Sequence, residues 1–347
     1  MAKHKKKRKG LKAFTILLLL LLVGAGVYLY LNKDAFDKAV KKLPVKTLKI
    51  VDVNSKTRPY AVMINNNHKA WPHAGLQDAY ISYEIIAEGG ITRIMALFKD
   101  QDTEKIGSVR SARPYYLDYA LENDAIYAHF GWSDDAKSDI GTLNIDNING
   151  LTDSDAFWRD TTLNKPLEHT AFTSMAKLKK VAKEKGYTRD TNKDLLLKYS
   201  IDEISLKDKE DAIKADSIYI KYSYYTDTSY EYDSENKVYK RSMSNTAHTD
   251  AITGKQYTVK NIITYQVENY SYDSYGRQKL NNIGSGDGYF ITDGYAVPIT
   301  WEKDSRSSQT VYKYKDGTEI KVNDGNTFIQ IQPDGQTLTI DGTDDNQ

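Results

Sequence analysis

The chain of 347 residues contains no cysteine. Disulfide scaffolds, thiolate metal sites, thiol redox chemistry and lipid attachment through a Cys are therefore excluded. Proline is scarce, at 7 residues, and glycine modest, at 21, which rules out fibrous and low-complexity chains. Long apolar runs are nearly absent: one stretch alone could cross a bilayer, so a polytopic transporter is excluded. With 40% apolar and 27% charged residues, there is enough material for ordered cores in about two to three domains. The net charge of +1 hides a split. Residues 1–12 carry seven Lys or Arg and no acid, leaving 41 basic against 47 acidic residues, a net −6, in residues 13–347. A mildly acidic body argues against nucleic acid as a partner.

Lys3, Lys5, Lys6, Lys7, Arg8, Lys9 and Lys12 precede the apolar run Ala13–Leu31. Nineteen helical residues would extend about 28 Å, close to the roughly 30 Å of a hydrocarbon core. The basic flank should stay cytoplasmic, with Tyr28 and Tyr30 at the outer interface. A cleaved signal peptide, cut near Gly24 and Gly26, is the competing reading. Cleavable cores are shorter, so an uncleaved single-pass anchor is expected. A stalk, residues 32–56, follows, in which Phe36, Val40 and Leu43 suggest a short amphipathic helix stopped at Pro44.

Residues 57–214 mix strand-like and helix-like stretches. Tyr60–Ile64, Tyr80–Ala87, Ile91–Phe98 and Ala125–Phe130 read as strands, with Glu88-Gly89-Gly90 as a hairpin turn. Pro114–Glu122 and Met175–Lys185 read as helices. The expected architecture is an α/β domain with a mixed sheet. Residues 215–333 differ in texture: 17 of the chain's 27 tyrosines lie at or beyond Tyr199. Asp-Gly pairs at 293–294, 316–317, 324–325 and 334–335 separate short β-prone runs such as Val311–Tyr314, Thr318–Val322 and Thr327–Gln332. This predicts a mostly antiparallel β-rich domain, followed by an acidic tail over residues 334–347 that is disordered from Asp341 to Gln347.

The densest polar segment runs from Ile106 to Pro114 and includes Ser108, Arg110, Ser111 and Arg113. It joins a strand to a helix opened by proline, where free N–H groups and two forked guanidinium groups suit a phosphate or carboxylate. Alternatively, these arginines pair with Glu84, Glu88 or Asp124 to hold the domain together. Glu84 and Glu88 share a strand face about 13 Å apart, too far for a glycosidase pair acting alone. Glu88 could instead face Arg93 across the hairpin. Phe157-Trp158-Arg159-Asp160 and Glu168-His169 gather an acid, a base and a cation in one loop. Glu84, Glu88, Asp160 and His169 are thus the acid–base candidates. Ser108, Arg110, Ser111, Arg113, Arg93, Arg159 and Arg306 are the ligand-binding candidates. His68, His73 and His129 show no metal-ligand spacing, and no metal or cofactor is expected. Gly284–Gly288 lies among hairpins and predicts a tight loop or bulge, not a nucleotide site. Trp301–Ser308, a charged and hydroxyl-rich segment after a strand, could reach the first domain or a ligand.

Taken together, Arg58–Asn66, Tyr83-Glu84 with Glu88–Arg93, Gly107–Arg113, Phe157–Asp160 and Trp301 with Ser305–Ser308 resemble the YerB-like family. These are exported bacterial proteins with two adjoining domains of unknown function, commonly described as lipoproteins. The resemblance spans roughly residues 57–333 and implies a cell-envelope protein with no established reaction. This chain departs in lacking the lipid-bearing Cys and in having Pro166-Leu167-Glu168-His169 where relatives place Pro-His-Asn. Three functions follow as expectations. One is binding of an anionic cell-wall precursor or polymer through Arg110 and Arg113. Another is a wall-acting hydrolase or transferase. The last is a scaffold for envelope protein partners.

Overall fold

The computed structural model describes residues 47–344 and scattered positions between 14 and 33. The positions described between 14 and 31 are helical, and Phe14, Leu18, Leu22 and Leu31 are exposed. Among the described residues no helix is long and apolar enough to cross a membrane. The expected basic tail and the amphipathic stalk helix at Phe36, Val40 and Leu43 lie outside the described residues. The described residues from Leu48 onward form one compact unit.

The core of this unit is a mixed eleven-stranded sheet. At one end Thr92–Phe98 pairs antiparallel with Ile81–Ile86 and Tyr60–Asn65. Ile126–His129 and Asn147–Asn149 continue the sheet in parallel. At the other end Asn261–Val267, Gly284–Thr292, Tyr295–Lys303 and Val311–Tyr314 form antiparallel neighbours. Thr327–Pro333 joins the two ends, lying parallel both to 261–267 and to 81–86. The boundary expected near residue 214 is therefore no break in the sheet, and the later half is not wholly antiparallel. All seven residues of 327–333 are buried, as befits a strand covered on both faces.

Alternation along the strands sorts the side chains into two cores. Ala61, Met63, Tyr83, Met95 and Ile329 face the Pro114–Glu122 helix, which adds Tyr115, Tyr116 and Tyr119. Val62, Ile64, Ile126 and Ala128 face the Met175–Glu184 helix, with Leu178 and Val181. On this second face, beyond the helix, a smaller antiparallel sheet packs through Ile218, Ile220, Tyr230 and Tyr239.

Two expectations need correction, and one helix was not expected. Residues 334–344 are not a tail: Leu338–Ile340 pairs with Ser217–Lys221, burying Leu338 and Ile340. Gly284–Gly288 is neither loop nor bulge but the start of a long strand. A Cβ at Gly288 would stand 2.4 Å from the Thr264 carbonyl oxygen, and one at Gly286 would stand 2.8 Å from Trp301 Nε1. These glycines permit close approach. Finally, Asp134–Thr142 is a helix that the sequence pattern hid, since only Ala136 and Ile140 are buried.

Candidate functional site

The strand Ile81–Ile86 ends in a single 3₁₀ turn, Glu88–Gly90, and the chain returns as Thr92–Phe98. Gly89 and Gly90 take φ of 68° and 72°, a left-handed conformation that glycine adopts without strain. The turn sets Glu88 at the sheet's end, with Arg93 just inside the next strand. The chain enters the Pro114 helix through Val109, bridged to Ile64, and Arg113 sits extended at the cap position. A separate two-stranded hairpin, Asn269–Ser271 with Gln278–Leu280, comes in from the later half.

These segments enclose a cleft of about 380 Å³ lined by Asn65, Asn67, Glu88, Thr92, Arg93, Arg110, Arg113, Tyr275 and Arg277. Arg93 Nη2 donates to Glu88 Oε2 at 3.1 Å, and Arg113 Nε donates to Glu88 Oε1. Arg110 Nη2 reaches Glu168 Oε2 at 2.8 Å, and Arg277 Nη1 reaches Asp273 Oδ2 at 3.0 Å. Burial pushes the Glu88 carboxyl up, but Arg93 and Arg113 outweigh it and hold the group below its usual range. Burial, aided by Arg113, brings Arg93 down to about 10. Among the described residues, Arg113 Nη2 and Arg277 Nε and Nη2 make no hydrogen bond with the protein.

His169 lies beside this cleft, 1% exposed. Its Nδ1 is 2.8 Å from Asn65 Nδ2, and its buried Nε2 has no hydrogen-bond partner. Glu168 Oε1 stands 3.5 Å from that nitrogen. With the Asn65 amide donating, Nδ1 accepts and the ring proton sits on Nε2. Burial lowers its pKa, so the ring is neutral near pH 7. Ser108 Oγ is likewise buried without a partner.

The remaining candidates do not join the cleft's lining. Glu84 faces the smaller sheet, where Arg241 Nη2 donates to it at 2.6 Å and both side chains are sealed from solvent. Asn66 and Thr92 also donate to Glu84. Arg241 Nη1 in turn bonds His248 Nδ1; His248 Nε2 meets His73 Nδ1 at 2.6 Å, and His73 Nε2 meets the Asn65 carbonyl oxygen at 2.8 Å. Each ring in this relay accepts from one side and donates to the next. Asp160 pairs with Lys105 at 2.6 Å and is held down to about 2, first by that bond and then by Thr162. Arg159 binds the Leu167 carbonyl oxygen and stacks 4.3 Å above Phe130. Ser111 Oγ donates to the Phe130 carbonyl oxygen. Arg306 spans Asp118 and Asp139, at 2.6 and 2.8 Å, so the Trp301–Ser308 segment does reach the earlier half. Asp124 is taken by Arg58 and Arg189, not by the loop arginines. Among the described residues no cluster of His, Asp and Glu could hold a metal ion.

Sequence reasoning missed Tyr275 and Arg277, which lie in an exposed hairpin without a motif. It also missed Arg241, although one signal existed. In the alternating strand Val238–Met243, Tyr239, Arg241 and Met243 point inward, so a cation stands where an apolar residue is expected.

Two family profiles match. Residues 47–188 fit the N-terminal domain of "Protein of unknown function (DUF3048)", and residues 218–329 fit its C-terminal domain. The Bacillus subtilis (strain 168) protein named "Putative lipoprotein YerB" is 33% identical over 315 residues, covering 89% of this chain and 92% of that protein. The crystal structure of YerB from Bacillus subtilis superposes with a TM-score of 0.72 at 30% identity, covering 86% of this chain and 100% of that one.

Proposed function

The chain belongs to the YerB-like family with paired DUF3048 domains, and on that premise we propose that it is a membrane-anchored envelope protein whose arginine cleft binds a phosphate or carboxylate group of a wall-related ligand. The relative's name as a lipoprotein supports the location. Without a cysteine to carry lipid, the apolar run Ala13–Leu31 takes the anchoring role, with the N-terminus cytoplasmic and the bulk outside. The reading of the cleft rests on one observation: guanidinium groups from three chain segments converge on a cavity lined by a single carboxylate, Glu88. That carboxylate already shows the chemistry the cleft prefers, and unbonded N–H groups on Arg113 and Arg277 remain for a second anion.

Titration of the full chain with inorganic phosphate tests the cleft. Arg277→Ala should weaken binding at least about tenfold, the worth of one charge-assisted hydrogen bond, with the melting temperature unchanged. No phosphate binding by the parent at millimolar concentration overturns the reading. For the anchor, protease added to intact wall-free cells should digest residues beyond the stalk; full protection of the C-terminal part overturns the orientation.

A further inference from the structure

A second cleft, of about 560 Å³, lies between the Pro114–Glu122 and Asp134–Thr142 helices and the hairpin at 269–280. It abuts the arginine cleft. Arg113 lines one and Pro114 the other, and Arg277 lines one and Gln278 the other. The two linings differ in kind. The second offers the rings of Tyr270 and Tyr272, the amides of Gln278 and Asn282, and the carboxylates of Asp118, Asp135 and Asp139 beside the cations Lys279 and Arg306. The two tyrosines are 46% and 41% exposed. Two residues apart on a hairpin edge, they share a face about 7 Å apart. The Tyr272 hydroxyl is tied to Asp135, which fixes that ring, and Arg306 holds Asp139 in place.

Resting on the anion reading above, we propose that both clefts take one ligand: a saccharide bearing an anionic substituent, with the charge among the arginines and the sugar rings against Tyr270 and Tyr272. Pyranose rings present apolar C–H faces that pack on aromatic rings, while their hydroxyls seek amides and carboxylates. Asp118, Asp135 and Asp139 outnumber Lys279 and Arg306 in this lining, so it accepts hydroxyl protons and attracts an anion less than the arginine cleft does. The charged group is therefore directed to the arginine end, and the ligand lies in one orientation.

Four probes titrated into the full chain test this. Inorganic phosphate carries charge without rings, and chitotetraose carries rings without charge. The disaccharide of N-acetylglucosamine and N-acetylmuramic acid, and glucose 1-phosphate, carry both. At least one of the last two should bind tenfold or more tighter than either single-feature probe, and which one does separates carboxylate from phosphate. Tyr270→Ala and Tyr272→Ala should each remove roughly three- to tenfold of that gain and leave phosphate binding unchanged. Tyr270→Phe should keep it. Unchanged affinity in both alanine variants overturns the second cleft and leaves the anion site standing. Chitotetraose binding as tightly as the charged sugars overturns the coupling of the clefts. Loss of all anion binding by the parent overturns the anion reading itself.

Discussion

Glu84 and Glu88 lie four residues apart and both pair with arginine, yet they live in different solvents. Glu84 is sealed with Arg241 between two sheets, neither side chain exposed. Glu88 stands at the cleft mouth, 21% exposed, with Arg93 and Arg113. Sealing an ion pair costs several kcal/mol of desolvation per ion, so the inner pair chiefly enforces which surfaces may meet. It joins residues 157 positions apart and rejects any packing that leaves one partner alone. The outer cluster is less tightly sealed, with Glu88, Arg113 and Arg93 at 21%, 14% and 9% exposed, and on the proposed reading it exchanges one carboxylate for another anion. The same chemistry serves as a lock when dry and, on the proposed reading, as a binding surface when wet.

Three measurements can break or sharpen this contrast. The largest effect is expected for Arg241→Leu, which strands Glu84 and should cost about 3–5 kcal/mol in urea unfolding. The double change Glu84→Leu with Arg241→Leu should recover most of that loss. A cost near zero for the single variant would show that the inner pair is hydrated after all.

Acidity comes next. Burial lowers His73 to about 3 and drives His248 well below its ordinary value, with Arg241 adding to both shifts. Both rings are neutral when folded, whereas the unfolded chain protonates them near pH 6.5. Stability should therefore be full above about pH 6.5 and fall as the pH drops. His73 alone contributes a slope approaching about 1.4 kcal/mol per pH unit. Chemical unfolding between pH 7 and 4.5 checks this, and His73→Gln should flatten the curve. A flat profile in the parent would mean that the relay takes up protons without cost.

The smallest effect on stability belongs to Glu88→Gln, about 1–2 kcal/mol for a largely buried group whose amide oxygen can still accept from Arg93 or Arg113. Because it removes the built-in competitor, phosphate affinity should rise roughly three- to tenfold. A fall instead would assign Glu88 to positioning Arg93 and Arg113.

Local features were largely legible. The Pro114–Glu122 helix, the Glu88–Gly90 turn and the Val311–Tyr314 strand stand where proline, glycine and alternation put them. So does the Arg93–Glu88 contact across the hairpin, because a turn dictates which residues face one another. The Asp134–Thr142 helix escaped because its buried stripe is only two residues wide. Thr327–Pro333 was legible as a strand but not as the strand that closes the sheet. Its alternation says that it is covered, not which strands flank it.

The sequence by itself determined the composition limits, the single apolar run, the turns and most strands, and the arginine-bearing loop before the Pro114 helix. These depend on interactions within a few residues, where stereochemistry and side-chain period suffice. Only the tertiary structure decided that the two halves share one sheet, that Glu84 belongs to Arg241, and that Arg277 completes the cleft with Arg93, Arg110 and Arg113. Those outcomes turn on which distant surfaces exclude water together, and burial is a property of the assembled fold rather than of any stretch of chain.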